Sequence, residues 1–123
     1  FTAVRIARMM NDGRFELSDL HRPEVNIGYA SFYLRRLVDY YKGNPLLAVA
    51  AYNGGPISVD RWVHSYGHLE TDEFVETIPF RETRRYVKSV FRNFNQYKSV
   101  WQQSKALASL PKVPDGLGGG EIF

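Results

Sequence analysis

Cysteine is absent from this 123-residue chain. The absence excludes a disulfide framework, a thiolate nucleophile and a cysteine–zinc site, and it suits a reducing cytosol and a periplasm equally well. Long hydrophobic runs are also missing: no apolar stretch approaches the roughly eighteen residues needed to span a bilayer, so no membrane span is expected. There is no initiating methionine, no basic-then-apolar leader and no cleavage-site pattern, so the sequence reads as a piece of something longer. Alternating strand patterns and internal repeats are lacking too, which removes sheet and solenoid architectures. Acidic residues are outnumbered, 13 against 16 basic, and the net charge of +3 favours anionic partners without choosing among nucleic acid, membrane surface and acidic polymer. What is present is 44% hydrophobic and 15% aromatic residues in a chain long enough for one core, hence a single soluble globular domain.

The pattern is helical almost throughout, and the expected fold class is all-α, several short helices around a central buried one. Ala3 to Met10 reads as the end of an amphipathic helix that begins near or before Phe1, and Asn11-Asp12-Gly13 stops it. From Pro23, apolar side chains at Ile27, Ala30, Leu34, Leu37, Val38 and Tyr41 follow the rhythm of a helix with one buried face, closed by Gly43. Asn44-Pro45 supplies an N-cap and a first-turn proline for "LLAVAAY", which is apolar on nearly every side and belongs inside the core. Gly54-Gly55 ends it. A fourth helix is expected over Pro56 to Tyr66, with Val59, Trp62 and Val63 inward and Gly67 as a left-handed C-cap. The acidic cluster Glu70, Asp72, Glu73 and Glu76 begins a short helix that Pro79 interrupts. The last helix runs from about Arg81 with a stripe of Tyr86, Val87, Val90, Phe91, Phe94, Tyr97 and Trp101. After Ser104 order should fail: "PKVPDGLGGG" suits a flexible tail or linker, so the domain is drawn at 1–103 and the tail at 104–123.

Few residues carry chemistry on type alone. His64 and His68 have metal-ligand spacing, but Gly67 breaks the helix between them and no third ligand stands near, so they read as surface histidines and no metal is assigned. The six basic residues among aromatics from Arg81 to Lys98 read as the solvated face of a core helix, not as a nucleic-acid surface. Glu82 lies one turn before Tyr86, so the two can share a side; it either serves a site or stabilises the helix start and pairs with Arg85. Tyr52 is either a site residue or a core aromatic with a satisfied hydroxyl, and Asn53 either a site residue or a helix cap.

Taken together, "NIGYASFYLRRLVDYYKGNPLLAVAAYNGGP", "RWV" and "DEFVETIPFRETRRYVKSVFRNFNQY" resemble the catalytic domain of the soluble lytic transglycosylases, lysozyme-like (goose-type) helical enzymes that cleave the bacterial cell wall. The resemblance runs from about Phe1 to Tyr97. It rests on Asn26-Ile27-Gly28 before a long helix, Ala51-Tyr52-Asn53 followed by Gly55-Pro56, and Ile78-Pro79-Phe80 before Glu82-Thr83-Arg84 and Tyr86, in the family's order. Gly54 stands where the family usually has alanine, and Ile57-Ser58 where it often has glycine and a polar or basic residue.

The resemblance implies cleavage of the β-1,4 bond between N-acetylmuramic acid and N-acetylglucosamine with closure of a 1,6-anhydro ring. One carboxyl group acts as acid and then as base, with no cofactor. It implies substrate contacts from Tyr52, Asn53, Glu82 and Tyr86, with Tyr52 also supporting the catalytic carboxyl. The family's acid is a glutamate followed by serine, upstream of the point that matches Phe1, so the expectation is a catalytic domain lacking its N-terminal part, and no catalytic acid in this chain. Implied partners are peptidoglycan glycan strands and the missing N-terminal segment, which a separate chain can supply, and the implied address is the periplasm or cell envelope. The alternative is a lysozyme-like domain that binds glycan or scaffolds a wall assembly without catalysis.

Overall fold

The computed structural model describes residues 2–102, and the side chains of residues 2–96. The expected loss of order after Ser104, the domain boundary at 103 and the side chains of Tyr97 and Trp101 lie outside the described residues. Six α-helices follow one another: α1 (Thr2–Met9), α2 (Pro23–Tyr40), α3 (Pro45–Gly54), α4 (Pro56–Tyr66), α5 (Thr71–Thr77) and α6 (Arg81–Gln102). A short 3-10 helix over Leu17–His21, a polar stretch with no apolar period to announce it, stands between α1 and α2. The fold is all-α, and no strand occurs among the described residues.

The expected central helix is the centre of the molecule. Asn44 caps α3 by accepting from the backbone N–H groups of Leu46 and Leu47, at 3.0 and 3.2 Å. Leu46, Leu47, Ala48, Ala50 and Ala51 are all fully buried, against α2, α4 and α6. The alanines give those neighbours close approach, and each buried leucine contributes about 1.5–3 kcal/mol by leaving water. The chain leaves α3 through Gly55, whose φ of +86° is costly for any residue with a β-carbon.

On α2 the buried face differs from the expected one. Leu37 and Tyr41 are buried as read, but Ile27 is 64% exposed and Leu34 38%, while Tyr29 and Tyr33 take the inner positions. The inner stripe is therefore Tyr29, Tyr33, Leu37 and Tyr41, at strict four-residue spacing. Tyrosine can hold these positions because each end of the stripe finds an acceptor. Tyr29 donates to Asp12 at 2.7 Å and stacks on Phe15 with ring centroids 4.7 Å apart, which ties the loop after α1 to α2. At the other end Tyr40 and Tyr41 donate to the two oxygens of Asp60, at 2.7 and 2.9 Å, and the Tyr41 hydroxyl lies 3.2 Å from the Pro56 carbonyl. Burial first, and these carboxylates second, push the Tyr29 and Tyr40 hydroxyls up to about 12 and raise Tyr41 as well, so all three remain neutral donors across the physiological range.

Two further expectations are corrected. Gly67 follows α4 in a right-handed conformation, φ −64° and ψ −15°, so it is no left-handed cap; instead a β-carbon there would fall 2.5 Å from the Val63 carbonyl oxygen, and only glycine fits the close turn. Along α6, Thr83 and Val87 are buried, Tyr86, Val90 and Phe91 half-buried, and Phe94 55% exposed, so the stripe sinks into the core only in the first turns, those against α3 and α5. The start of α6 is held firmly. Trp62 meets Phe80 edge-on with centroids 5.0 Å apart, and Arg84 reaches back to the Ile78 carbonyl at 3.3 Å.

Candidate functional site

The last turn of α3 turns from core to surface within three residues. Ala51 is buried, Tyr52 is 39% exposed and Asn53 is exposed. Both polar tips open into a cleft of about 430 Å³ between α1, α2 and the end of α3, whose walls include Ile6, Asn26, Tyr29, Tyr33, Tyr52 and Asn53. The Tyr33 and Tyr52 rings lie 5.7 Å apart at 40°, an open aromatic pair on one wall. Burial, with the Tyr52 hydroxyl close by, raises Tyr33 above the usual tyrosine value, which keeps its hydroxyl neutral. Asn26 stands at the cleft edge and donates to the Leu20 carbonyl at 3.1 Å, pinning the 3-10 helix to α2.

Asn53 is fixed from outside the cleft. Its Oδ1 accepts from the Thr83 hydroxyl at 2.8 Å, which commits the carbonyl end and leaves the two amide N–H donors for a ligand. It does not cap α3; that place belongs to Gly55, whose N–H bonds to the Ala51 carbonyl. The partly exposed Tyr52 likewise does not match a core aromatic.

Of the four residues expected to form the site, the structure brings Tyr52 and Asn53 together in the cleft. Glu82 and Tyr86 are not among its lining. They share the first turns of α6, Glu82 exposed and Tyr86 half-buried, and Glu82 is the sequence neighbour of the Thr83 that holds Asn53. Among the described residues Glu82 forms no ion pair with Arg85 or any other base. Sequence reasoning missed Tyr29 and Tyr33 as cleft walls; their four-residue spacing with Leu37 and Tyr41 was the available signal. Among the described residues no group of three His, Cys, Asp or Glu side chains is placed to hold a metal, and His64 and His68 are both exposed.

Gly54 explains how Asn53 reaches Thr83. A β-carbon at Gly54 would sit 2.9 Å from the Thr83 hydroxyl oxygen and 3.2 Å from the Trp62 ring, inside normal contact. Gly54→Ala should therefore cost about 1–3 kcal/mol by overpacking. Adding Thr83→Ala should return part of that loss, a non-additivity that thermal unfolding of the single and double variants would reveal. Additive losses would show that residue 54 does not press on Thr83.

The cleft's described walls are aromatic, amide and aliphatic, with no carboxylate. Such walls suit a neutral, hydroxyl- and amide-rich ligand lying flat on tyrosine rings. Comparison with solved structures sets this arrangement in a class. An inactive mutant of the lytic transglycosylase Slt from Pseudomonas aeruginosa, in which one glutamate is replaced by glutamine, has the same fold, with a TM-score of 0.74 and 34% identity over 87% of this chain and 17% of that chain. The fold is thus the lysozyme-like one of the lytic transglycosylases.

The profile of the Transglycosylase SLT domain matches residues 1–75. The soluble lytic murein transglycosylase of Escherichia coli is 38% identical over 110 residues, covering 88% of this chain and 17% of that protein; that of Salmonella typhimurium is 41% identical over 91 residues, covering 73% and 14%. The chain belongs to the family of transglycosylases with an SLT domain. It spans less than a fifth of the length of these relatives.

Proposed function

We propose that this chain forms part of the catalytic domain of an enzyme of the periplasm or cell envelope that cuts peptidoglycan between N-acetylmuramic acid and N-acetylglucosamine and closes a 1,6-anhydro ring on the muramic residue. The observation that carries the reading is the cleft at the end of α3: in a chain of this family, Tyr52 and Asn53 leave a buried helix for an uncharged, tyrosine-lined groove. Pyranose rings present C–H faces to aromatic rings, and N-acetyl groups present a carbonyl to amide donors such as those of Asn53.

The chemistry needs one carboxyl group. Protonated, it gives its proton to the glycosidic oxygen as the bond from C1 breaks; as carboxylate, it takes the proton of the C6 hydroxyl while O6 bonds to C1, so water is neither consumed nor released. In this reading Tyr52 donates a hydrogen bond to that carboxyl or to the sugar, and Glu82 and Tyr86 contact the strand beyond Asn53. None of the described residues lining the cleft carries a carboxyl, and in this reading the acid is supplied by another part of the full-length protein. The solved relative is inactive with one glutamate changed to glutamine, which is what dependence on a single acid predicts.

The lack of a carboxylate in the lining also favours a second reading, a domain that binds glycan without cutting it. The two part in a clearing assay on purified sacculi. The full-length protein that contains this chain should lower sacculus turbidity and the isolated chain should not. Binding without clearing by the full-length protein would establish the second reading.

A further inference from the structure

The cleft continues beyond Tyr52. A second cavity, of about 300 Å³, lies between α1 and the start of α4 and is walled by Thr2, Arg5, Tyr33, Ile57 and Ser58 together with the Gly55-Pro56 turn. It shares Thr2, Tyr33, Gly55 and Pro56 with the first, so the two make one groove across the α3–α4 turn, with Tyr33 at the junction. Among the described residues of the combined lining, Arg5 alone carries a charge. That charge is felt at the junction, where it pulls the Tyr33 hydroxyl down against the opposing effects of burial and Tyr52.

Around Arg5 the walls are mixed. Thr2 and Ser58 provide hydroxyls, and Ile57, 76% exposed, provides an apolar surface. A guanidinium beside hydroxyl groups and an aliphatic surface matches a carboxylate borne on a short carbon chain, because the planar fork binds carboxylate through parallel hydrogen bonds while the hydrocarbon covers the rest.

We infer that Arg5 and its surroundings form an anion subsite of the glycan groove, taking a carboxylate carried on the muramic residue, either that of its lactyl group or one on the attached peptide. The inference rests on the proposed function, since it names which feature of the strand the groove selects. Arg5 lines the second cavity and is not among the residues that line the first with Tyr52 and Asn53, so in this proposal it adds binding that is the same in ground and transition states. Its loss should appear in KM with kcat kept.

The test uses the full-length protein that contains this chain, with Arg5→Gln and Arg5→Lys variants. Turnover is measured on four substrates: peptide-free strands and peptide-bearing strands, each with carboxylates free or converted to methylamides. The unaltered protein should prefer free over amidated strands by about tenfold in kcat/KM, the worth of one charge-assisted contact. Arg5→Gln should abolish the preference through KM, and Arg5→Lys should retain part of it. Unchanged affinity for uncharged chitotetraose shows that the variants keep their fold. A preference confined to peptide-free strands assigns the lactyl carboxylate, and one confined to peptide-bearing strands assigns the peptide. A preference that survives Arg5→Gln, or its absence in the unaltered protein that still cuts all four, overturns the subsite while leaving the proposed function standing. Failure of the unaltered protein to cut any strand overturns both.

Discussion

Replacing Glu82 by glutamine in the full-length protein is expected to cut peptidoglycan turnover more than about tenfold while leaving the melting temperature nearly unchanged. The structure makes the two competing roles of this residue separable. As a helix-stabilising carboxylate, Glu82 stands in the first turn of α6, where its charge is worth about 0.3–1 kcal/mol at most when exposed. It is exposed and has no ion-pair partner among the described residues, so glutamine should cost the fold little. As a strand contact, its charge and acceptor geometry matter directly. Its neighbour Thr83 bonds to Asn53 at 2.8 Å, which places the first turn of α6 at the edge of the α3 terminus. Turnover retained with a clear fall in melting temperature would return Glu82 to the helix-stabilising role.

Tyr52→Phe is the second large effect, and the same pair of measurements decides it. Phenylalanine keeps the ring that faces Tyr33 at 5.7 Å and removes only the hydroxyl. Were that hydroxyl a buried, satisfied group, its loss would cost about 1 kcal/mol of stability and leave turnover intact. Tyr52 is instead 39% exposed at the cleft. The expected result is a fall in turnover of about tenfold or more, as for a contact tightened in the transition state, with stability within about 0.5 kcal/mol of the parent. An active but destabilised variant would remove Tyr52 from the site.

Where residue type and periodicity agreed, the sequence was enough. α3 and α4 begin at the expected prolines, Asn44 is the expected cap, and the all-apolar run is the buried centre. On α2 two stripes competed. Ile27, Ala30, Leu34 and Val38 are the more apolar by type, but Tyr29, Tyr33 and Tyr41 bury larger rings, and the hydroxyls of Tyr29 and Tyr41 find acceptors in Asp12 and Asp60. Those acceptors are 17 and 19 residues distant in sequence, and no local pattern announces them. The cleft was half legible for the same reason. Tyr52 and Asn53 were marked by the abrupt change at the end of an apolar helix. Tyr33 became a wall only when α2 rolled its tyrosines inward, and Arg5 became a groove residue only when α1 folded beside the Gly55-Pro56 turn.

The central claim is that a glycan strand is cut in this groove without water. Mass spectrometry of the products released from purified sacculi by the full-length protein tests it most directly, because ring closure and hydrolysis differ by one water at the new muramic end. The expected products are 1,6-anhydromuropeptides, diminished by Glu82→Gln and by Tyr52→Phe. Muropeptides heavier by one water, with reducing muramic ends, would contradict it.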